Sequence, residues 1–353
     1  MKKYFALAMA LLMSIGLVAC GGSGQTAPAS SAPSTSASAP AAPSTPPAAE
    51  AEWPDGNISL IVSAGAGGGT DIAARQMLTS LSKMGNFAVI NNTDGGGVVA
   101  WEQVKAADPS CNEILFFNPG LLSSYVTGLT DVNPVEDIIP VWAIANANSY
   151  YIIVNKNSPF NSMEELVDYA KANPGKLNFG VQMGDMEHVM AGCVQKELGV
   201  EWNYVAAGSD ADRVSLLIGG NLDVTICAQS QTQSYYDADE IKVLCSTLRR
   251  SPIANEKLQA VPLLSELGYN NTTIAGGLAV WAPAGAPDSV YEKINETLNA
   301  AITDPEVVQL MADSGSVVTS VGNYQEASQY INNMFNAYKD ACNDLGLAAE
   351  GRG

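Results

Sequence analysis

A single histidine and a shortage of positive charge set the first limits on this chain. Its 353 residues carry 17 Lys and Arg against 36 Asp and Glu, a formal net charge of −19. Binding to nucleic acid needs a basic footprint that displaces counterions from phosphate, so that class is excluded. One histidine removes His-rich metal clusters and leaves His188 as the sole histidine that could act as a base. The six cysteines form no CxxC or CxxxC pair, the spacing that structural zinc sites use. No Gly-x-Ser-x-Gly elbow is present, which removes the usual hydrolase nucleophile. What is plentiful is apolar: 47% of residues are hydrophobic and 15% charged, enough to build a core and unlike an acidic disordered tail. Length alone suggests about two domains.

The chain opens with Lys2 and Lys3 and then an apolar stretch over residues 5–18. That is shorter than the ~20 residues a membrane-spanning helix needs and reads as a secretory signal. It ends in Leu17-Val18-Ala19-Cys20-Gly21, which resembles the bacterial lipobox and implies lipidation of Cys20 as the mature N-terminus. Residues 21–52 are almost entirely Gly, Ser, Thr, Ala and Pro. Such a segment buries too little apolar surface to offset its ordering entropy, so we read a disordered tether. The folded body then begins near Trp53. Five cysteines remain after Cys20 (Cys111, Cys193, Cys227, Cys245 and Cys342), an odd number that leaves at least one thiol unpaired within the chain.

The body alternates strand and helix patterns. Ile58-Ser59-Leu60-Ile61-Val62 is β-rich and runs into Ser63-Ala64-Gly65-Ala66-Gly67-Gly68-Gly69-Thr70-Asp71, after which apolar residues recur at helical spacing. Residues 87–90 form a second short strand, followed by Asn91-Asn92-Thr93-Asp94-Gly95-Gly96-Gly97 and a helix over 98–107. Further strands are expected at 113–117, 150–154, 177–180, 202–205, 224–227, 241–244 and 278–281. Further helices are expected from Ser162-Met-Glu-Glu165, a capping-box sequence, and over 187–198, 210–218, 289–302, 305–312 and 324–345. Strands separated by helices indicate βαβ units and an α/β fold with mainly parallel sheets.

Two glycine loops therefore each follow a strand and precede a helix. A helix N-terminus offers unpaired N–H groups and a positive dipole end, and so binds anions without a cationic side chain. Glycine lets the ligand approach the backbone and permits positive φ. The first loop is not a P-loop, because no Gly-Lys-Ser/Thr follows, nor the dinucleotide fingerprint, because Thr70 stands where its last glycine would be. Asp71, Asp94, Asp185 and Asp223 lie at loop ends, where aspartate serves as cap or turn residue. No catalytic residue, no metal and no cofactor is expected.

These residues resemble a known family. Val62-Ser-Ala-Gly-Ala-Gly-Gly-Gly-Thr-Asp71 with Arg75 is similar to the first-loop signature of the solute receptors of tripartite tricarboxylate transporters, the Bug or TctC-like family. Residues 89–97, Ser158-Pro-Phe-Asn-Ser-Met-Glu-Glu-Leu-Val-Asp-Tyr-Ala-Lys-Ala-Asn-Pro-Gly-Lys176, Leu217-Ile-Gly-Gly-Asn-Leu-Asp223, Arg250, Val261-Pro-Leu-Leu-Ser-Glu-Leu-Gly-Tyr269 and Ala282-Pro-Ala-Gly-Ala-Pro287 match in order. The resemblance covers nearly all of residues 53–340.

It implies a periplasmic-binding-protein-like Venus flytrap, non-enzymatic and extracytoplasmic, with lobe 1 at 53–152 plus 278–353 and lobe 2 at 153–277. It implies a small organic carboxylate or amino acid as ligand and the permease subunits of a tripartite transporter as partner, with the membrane reached through the anchor at Cys20. By position, Ala66, Gly67, Gly68, Thr70 and Asp71 form one side of the site, with Asn92 and Gly95 nearby. Gln182, Met183, Gly184, Asp185 and His188 face them, with Ala207, Gly208 and Gln229. The chain departs from the family at three places: Asp185 replaces a Ser or Thr, Ala206-Ala207 a Tyr-Lys pair, and Asn91 a Glu. A carboxylate at Asp185 repels a second ligand carboxylate and accepts an amine or hydroxyl. A monocarboxylate, hydroxy acid or amino acid is therefore expected in preference to a tricarboxylate. Two alternatives are a receptor that reports to a signalling partner and an exported hydrolase.

Overall fold

The computed structural model describes residues 53–145, 149–247, 256–270, 276–314, 316 and 318–353. The expected signal, Cys20, the tether and Arg250 lie outside them. The elements run β1 (Asn57–Val62), α1 (Gly69–Leu81), β2 (Asn86–Asn91), α2 (Val98–Lys105), β3 (Glu113–Phe117), α3 (Gly120–Val126), β4 (Ile138–Ala145), β5 (Tyr150–Asn155), α4 (Met163–Ala172), β6 (Asn178–Val181), α5 (Met186–Leu198), β7 (Asn203–Ala206), α6 (Asp210–Ile218), β8 (Val224–Ala228), α7 (Gln229–Asp237), β9 (Ile241–Ser246), α8 (Glu256–Gln259), β10 (Gly277–Pro283), α9 (Asp288–Ile302), α10 (Pro305–Asp313) and α11 (Tyr324–Leu345).

The strands make two five-stranded sheets of the same design. Sheet A has the order β2-β1-β3-β10-β4, and sheet B the order β7-β6-β8-β5-β9. The first three strands of each are parallel. The fourth is antiparallel to both neighbours. That fourth strand is the one that enters from the other sheet: β5 follows β4, and β10 follows β9. The chain thus crosses between sheets after Ala145 and again between Ser246 and Gly277.

Local chemistry fixes most of these elements. In α9, Val290, Tyr291, Ile294, Leu298 and Ala301 are buried at three- and four-residue spacing, the stripe that an amphipathic helix lays on a sheet. Asp304 caps α10 by accepting from the Glu306 N–H, with Pro305 in the first turn where no intrahelical donor is lost. Asn323 and Glu326 form a reciprocal capping box at α11. At α4 half of the expected box is made. Ser162 Oγ accepts from Glu165 N, whereas the Glu165 carboxylate turns back to Asn161 N at 2.6 Å. The apolar interior has three parts. One lies under α1, α9 and α10 on sheet A, one between sheet B and α6, and the third is continuous across both sheets, from Trp101 and Leu121 through Tyr338 to Ile152 and Phe179. All five cysteines after Cys20 are free thiols. No helix among the described residues is long and apolar enough to cross a membrane.

Candidate functional site

The helices that follow parallel strands start at the carboxyl ends of those strands, and the two sheets turn these ends toward one another. A cleft of about 450 Å³ lies there, lined by residues 63–70, Thr93, Gly96 and Asn118 from the sheet A side, with Gln182, Asp185, Glu187, residues 209–213, Ala228 and Gln231 from the sheet B side. Tyr150 and Gly277-Leu278, the starts of the two crossing strands, complete it. This is the position at which open α/β sheets take ligands, and the volume suits a small organic molecule.

The sheet A wall is mostly backbone. Gly68 stands at the N-cap of α1 in extended conformation with no side chain capping the helix. The second glycine loop is a tight turn in which Gly95, Gly96 and Gly97 all have positive φ, at 62°, 73° and 99°. Three successive residues in the left-handed region require glycine. Neither this turn nor α2 has a side-chain cap. Asp71 does not enter the cleft. Its carboxylate accepts from Gly67 N (2.8 Å), Arg75 Nε (3.0 Å) and Asn91 Nδ2 (2.9 Å). Burial works to raise its pKa, but these donors hold the carboxyl below its usual range. Its work is to fix the shape of the first loop.

The sheet B wall is acidic. Asp185 caps α5 by accepting from Met186 N at 2.7 Å. Ser209 and Asp212 make a reciprocal capping box at α6. Asp210 accepts from Ala228 N ahead of α7 at 3.1 Å. Arg213 is 1% exposed. It donates through Nη1 to Gly208 O at 2.6 Å and through Nη2 to Asp210, and it stands 3.4 Å from Glu187 Oε1. Burial raises the pKa of Asp185, partly offset by the Met186 N–H and Arg213. Burial also pushes Glu187 up to about 8, against the pull of Arg213 and with the added repulsion of Asp185 and Asp210.

Among the described residues, the two sides meet at points that include two glycines. Asp185 from the B side packs on Gly120 at the start of α3, where any side-chain carbon would overlap its Oδ1. Gly69 faces Ser230, whose Oγ would lie 3.8 Å from a carbon added there.

Of the residues expected from the sequence, Ala66, Gly67, Gly68, Thr70, Gln182 and Asp185 line the cleft. Gly95 lies beside the lining Gly96. Asn92 is tied to Gln103 and to Asp94 N. Met183 is exposed. Gly184 donates to His188 Nδ1 at 3.0 Å and accepts from Thr127 Oγ1. His188 is buried with its ring edge on Tyr204, and burial lowers its pKa. It braces the loop before α5 instead of lining the cleft. Ala207 is buried, Gly208 serves Arg213, and Gln229 is fully buried at the start of α7. Sequence reasoning missed Glu187, Asp210, Arg213, Asn118 and Tyr150. The Ser209-x-x-Asp212 spacing was a cap signature that placed Asp210 and Arg213 on the first turn of a helix.

The family model for the tripartite tricarboxylate transporter family receptor matches residues 73–347. Among curated proteins, a UPF0065 protein of Bordetella pertussis is 27% identical over 305 residues, 84% of this chain and 91% of the relative. BugT from the same organism is 24% identical over 276 residues, covering 76% and 83%. Among solved structures, the periplasmic binding protein BugD superposes with a TM-score of 0.75 at 23% identity, covering 84% of this chain and 99% of that one. Rpa4515 of R. palustris with adipate gives 0.75 at 24%, with the same coverage. MatC of Rhodopseudomonas palustris with bound malate gives 0.72 at 18%, covering 82% and 99%.

Proposed function

The chain belongs to the tripartite tricarboxylate transporter receptor family, and from that premise we propose that it captures a small carboxylate-bearing solute in the cleft and delivers it to the permease of a tripartite transporter. The family is one of solute receptors, not of enzymes, and its members work outside the cytoplasm. The observation that carries the reading is the sheet A wall. The start of α1 and the glycine turn ahead of α2 present backbone to the cleft with no side-chain cap. N–H groups at such helix starts are ready partners for a carboxylate. Malate in MatC and adipate in Rpa4515 are carboxylates held by proteins of this fold.

The two sheets mark the two lobes of this reading. Sequence boundaries at 152/153 and 277/278 fall inside β5 and at the start of β10, so we set the changeovers at 145–150 and 246–277. Residues 1–20 act as the signal, Cys20 carries the lipid, and residues 21–52 tether the body to the membrane with a reach on the order of 100 Å if extended. Calorimetry with a panel of small carboxylates tests capture. Saturable binding by at least one of them is expected, and uniform failure by folded protein would reject the reading. A Cys20→Ser variant tests the anchor and should move from the membrane fraction to the soluble one.

A further inference from the structure

The cleft makes no use of cysteine: none of the five described thiols lines it. Three of them sit apart from one another. Cys111 belongs to the apolar layer under α1 and α9, which holds no other cysteine. Cys227 and Cys245 lie on β8 and β9, with β5 between them, so two strand spacings, about 9–10 Å, separate their backbones. A disulfide needs Cα atoms within about 7 Å.

Cys193 and Cys342 differ. Cys193 lies on α5, which follows β6 of sheet B, and Cys342 lies on α11, which packs on β4 of sheet A. The two helices touch beside both residues. Gly192 lies against Leu345, where an added Cβ would stand 2.7 Å from Leu345 Cδ1, and Lys196 Nζ reaches Asp344 at 2.9 Å. Residues three or four apart share a helix face. Cys193 therefore shares the face of Lys196, and Cys342 the face of Leu345. Cys342 is fully buried in the apolar layer common to both sheets, and the half-buried Cys193 packs against that layer. Helices packed with axes about 8–10 Å apart, each with Cα atoms about 2.3 Å from its axis, bring facing Cα atoms within disulfide reach. The electrostatics agree: burial pushes the Cys342 thiol up to about 12, and negative charge on Cys193 adds to the rise.

We infer that Cys193 and Cys342 are a disulfide-forming pair, a redox-dependent staple between the sheet A and sheet B halves of the body. Receptors of this family work outside the cytoplasm, where disulfides form and persist. The oxidant is an external disulfide. Cys193 is the entry point because it is the more exposed of the two. Burial raises its pKa to about 11, eased by Lys196 and reinforced by Asp344, so it reacts slowly at neutral pH and faster in alkali. Its thiolate attacks one sulfur of the oxidant, and the other sulfur leaves with the electron pair as a thiolate. Cys342 then gives its proton to solvent and attacks the Cys193 sulfur of the mixed disulfide, expelling the second thiolate. Two protein thiols are oxidised to one S–S bond, and one external disulfide is reduced to two thiols. The bridge closes a long loop, from 193 to 342, and in the chain-entropy account long loops gain most from cross-linking.

The test is peptide mapping and thermal melting of the intact chain after oxidation with glutathione disulfide at mildly alkaline pH. The expected result is a linked peptide joining Cys193 to Cys342, with Cys111, Cys227 and Cys245 still free. The melting temperature should rise on the order of 5 °C or more and return to its starting value with dithiothreitol. Cys193→Ser should lose both the linked peptide and the rise. If Cys193 stops as a mixed disulfide with glutathione, or if both thiols stay free, Cys342 is out of reach and the pairing is wrong. A bridge that forms without raising the melting temperature overturns the staple. Should the variant not fold, mapping and melting of the unaltered chain still decide between these outcomes.

Discussion

The two walls of the cleft are built alike and finished differently. Both sheets have three parallel strands and an antiparallel crossing strand in fourth place, and both send helix N-termini toward the cleft. On the sheet A wall, α1 and α2 begin at glycine with no side-chain cap. On the sheet B wall, α5 and α6 begin at capped residues, and Asp210 reaches across to the start of α7. Equal topology therefore yields opposite polarity. The choice of residue at each helix start decides whether a wall offers donors or acceptors to the ligand.

The comparison can be broken most severely at Arg213. Arg213→Met leaves the buried Asp185 and Glu187 and the half-buried Asp210 without a guanidinium. A loss of about 3–5 kcal/mol of folding stability is expected from removing one partner of a buried ion cluster, read by chemical denaturation. A smaller effect comes from giving the sheet A wall the finish of the other. Gly68 has the extended conformation of an N-cap (φ −74°, ψ 162°), close to that of Asp185 (φ −86°, ψ 179°). Gly68→Asp should cap α1 with its own carboxylate and weaken carboxylate binding by about a hundredfold through charge repulsion and competition for the N–H groups. Its Cβ would stand 3.0 Å from Gly65 O, so the loop must shift slightly. Thermal melting should show that the fold is retained.

Gly120→Ala tests the point where the walls meet. The added methyl overlaps Asp185 Oδ1 and must push it off the start of α5, for an overpacking cost of about 1–3 kcal/mol. The mildest test is pH. Burial lifts the Glu187 carboxyl from its ordinary 4.5 in the unfolded chain to about 8 in the folded one. Between those values the folded state holds the extra proton, so its contribution to stability is full below the lower pKa and is lost as pH rises through the upper one. Melting temperature should fall across this window, and Glu187→Gln should flatten part of the fall, with the raised Asp185 retaining the rest.

Much of this was legible in the sequence, and the failures have local causes. Strands such as Ile58-Ser59-Leu60-Ile61-Val62 announce themselves by β-branched and apolar runs, and capped helices by their first residues. Helix α7 did not, because Gln229-Ser-Gln-Thr-Gln-Ser-Tyr-Tyr-Asp237 has no apolar period; it buries only Gln229 and Thr232. Strand β4 was hidden by Pro140, which is tolerated because β4 pairs within the sheet only with β10 and lies at its edge. In the site, the glycine loops were visible because backbone approach demands glycine. The acidic wall was not. Glu187, Asp210 and Arg213 read as ordinary surface residues until the pairing of β6, β7 and β8 brings them together, with Glu187 and Arg213 buried and Asp210 half-buried. His188 and Asp71 misled for the converse reason: polar residues beside a glycine loop look like ligand contacts, yet each bonds its own loop to hold it in shape.

The seating of α5 has a mechanical consequence. At one end Gly184 accepts from Thr127, in the middle Gly192 rests on Leu345, and near the other end Lys196 pairs with Asp344 at 2.9 Å. The whole length of this sheet B helix is thus bound to α3, α11 and the loop after α3, along the apolar layer common to both sheets. A book opens along the edge away from its binding. Here the binding is α5, and the free edge is where Gly69 meets Ser230. A few degrees of rotation at the binding are magnified by the lever arm into the largest displacement at that edge. If the cleft captures a solute as proposed, a pair of distance labels placed there is expected to change separation on adding that solute, while a pair across α5 and α11 should stay still.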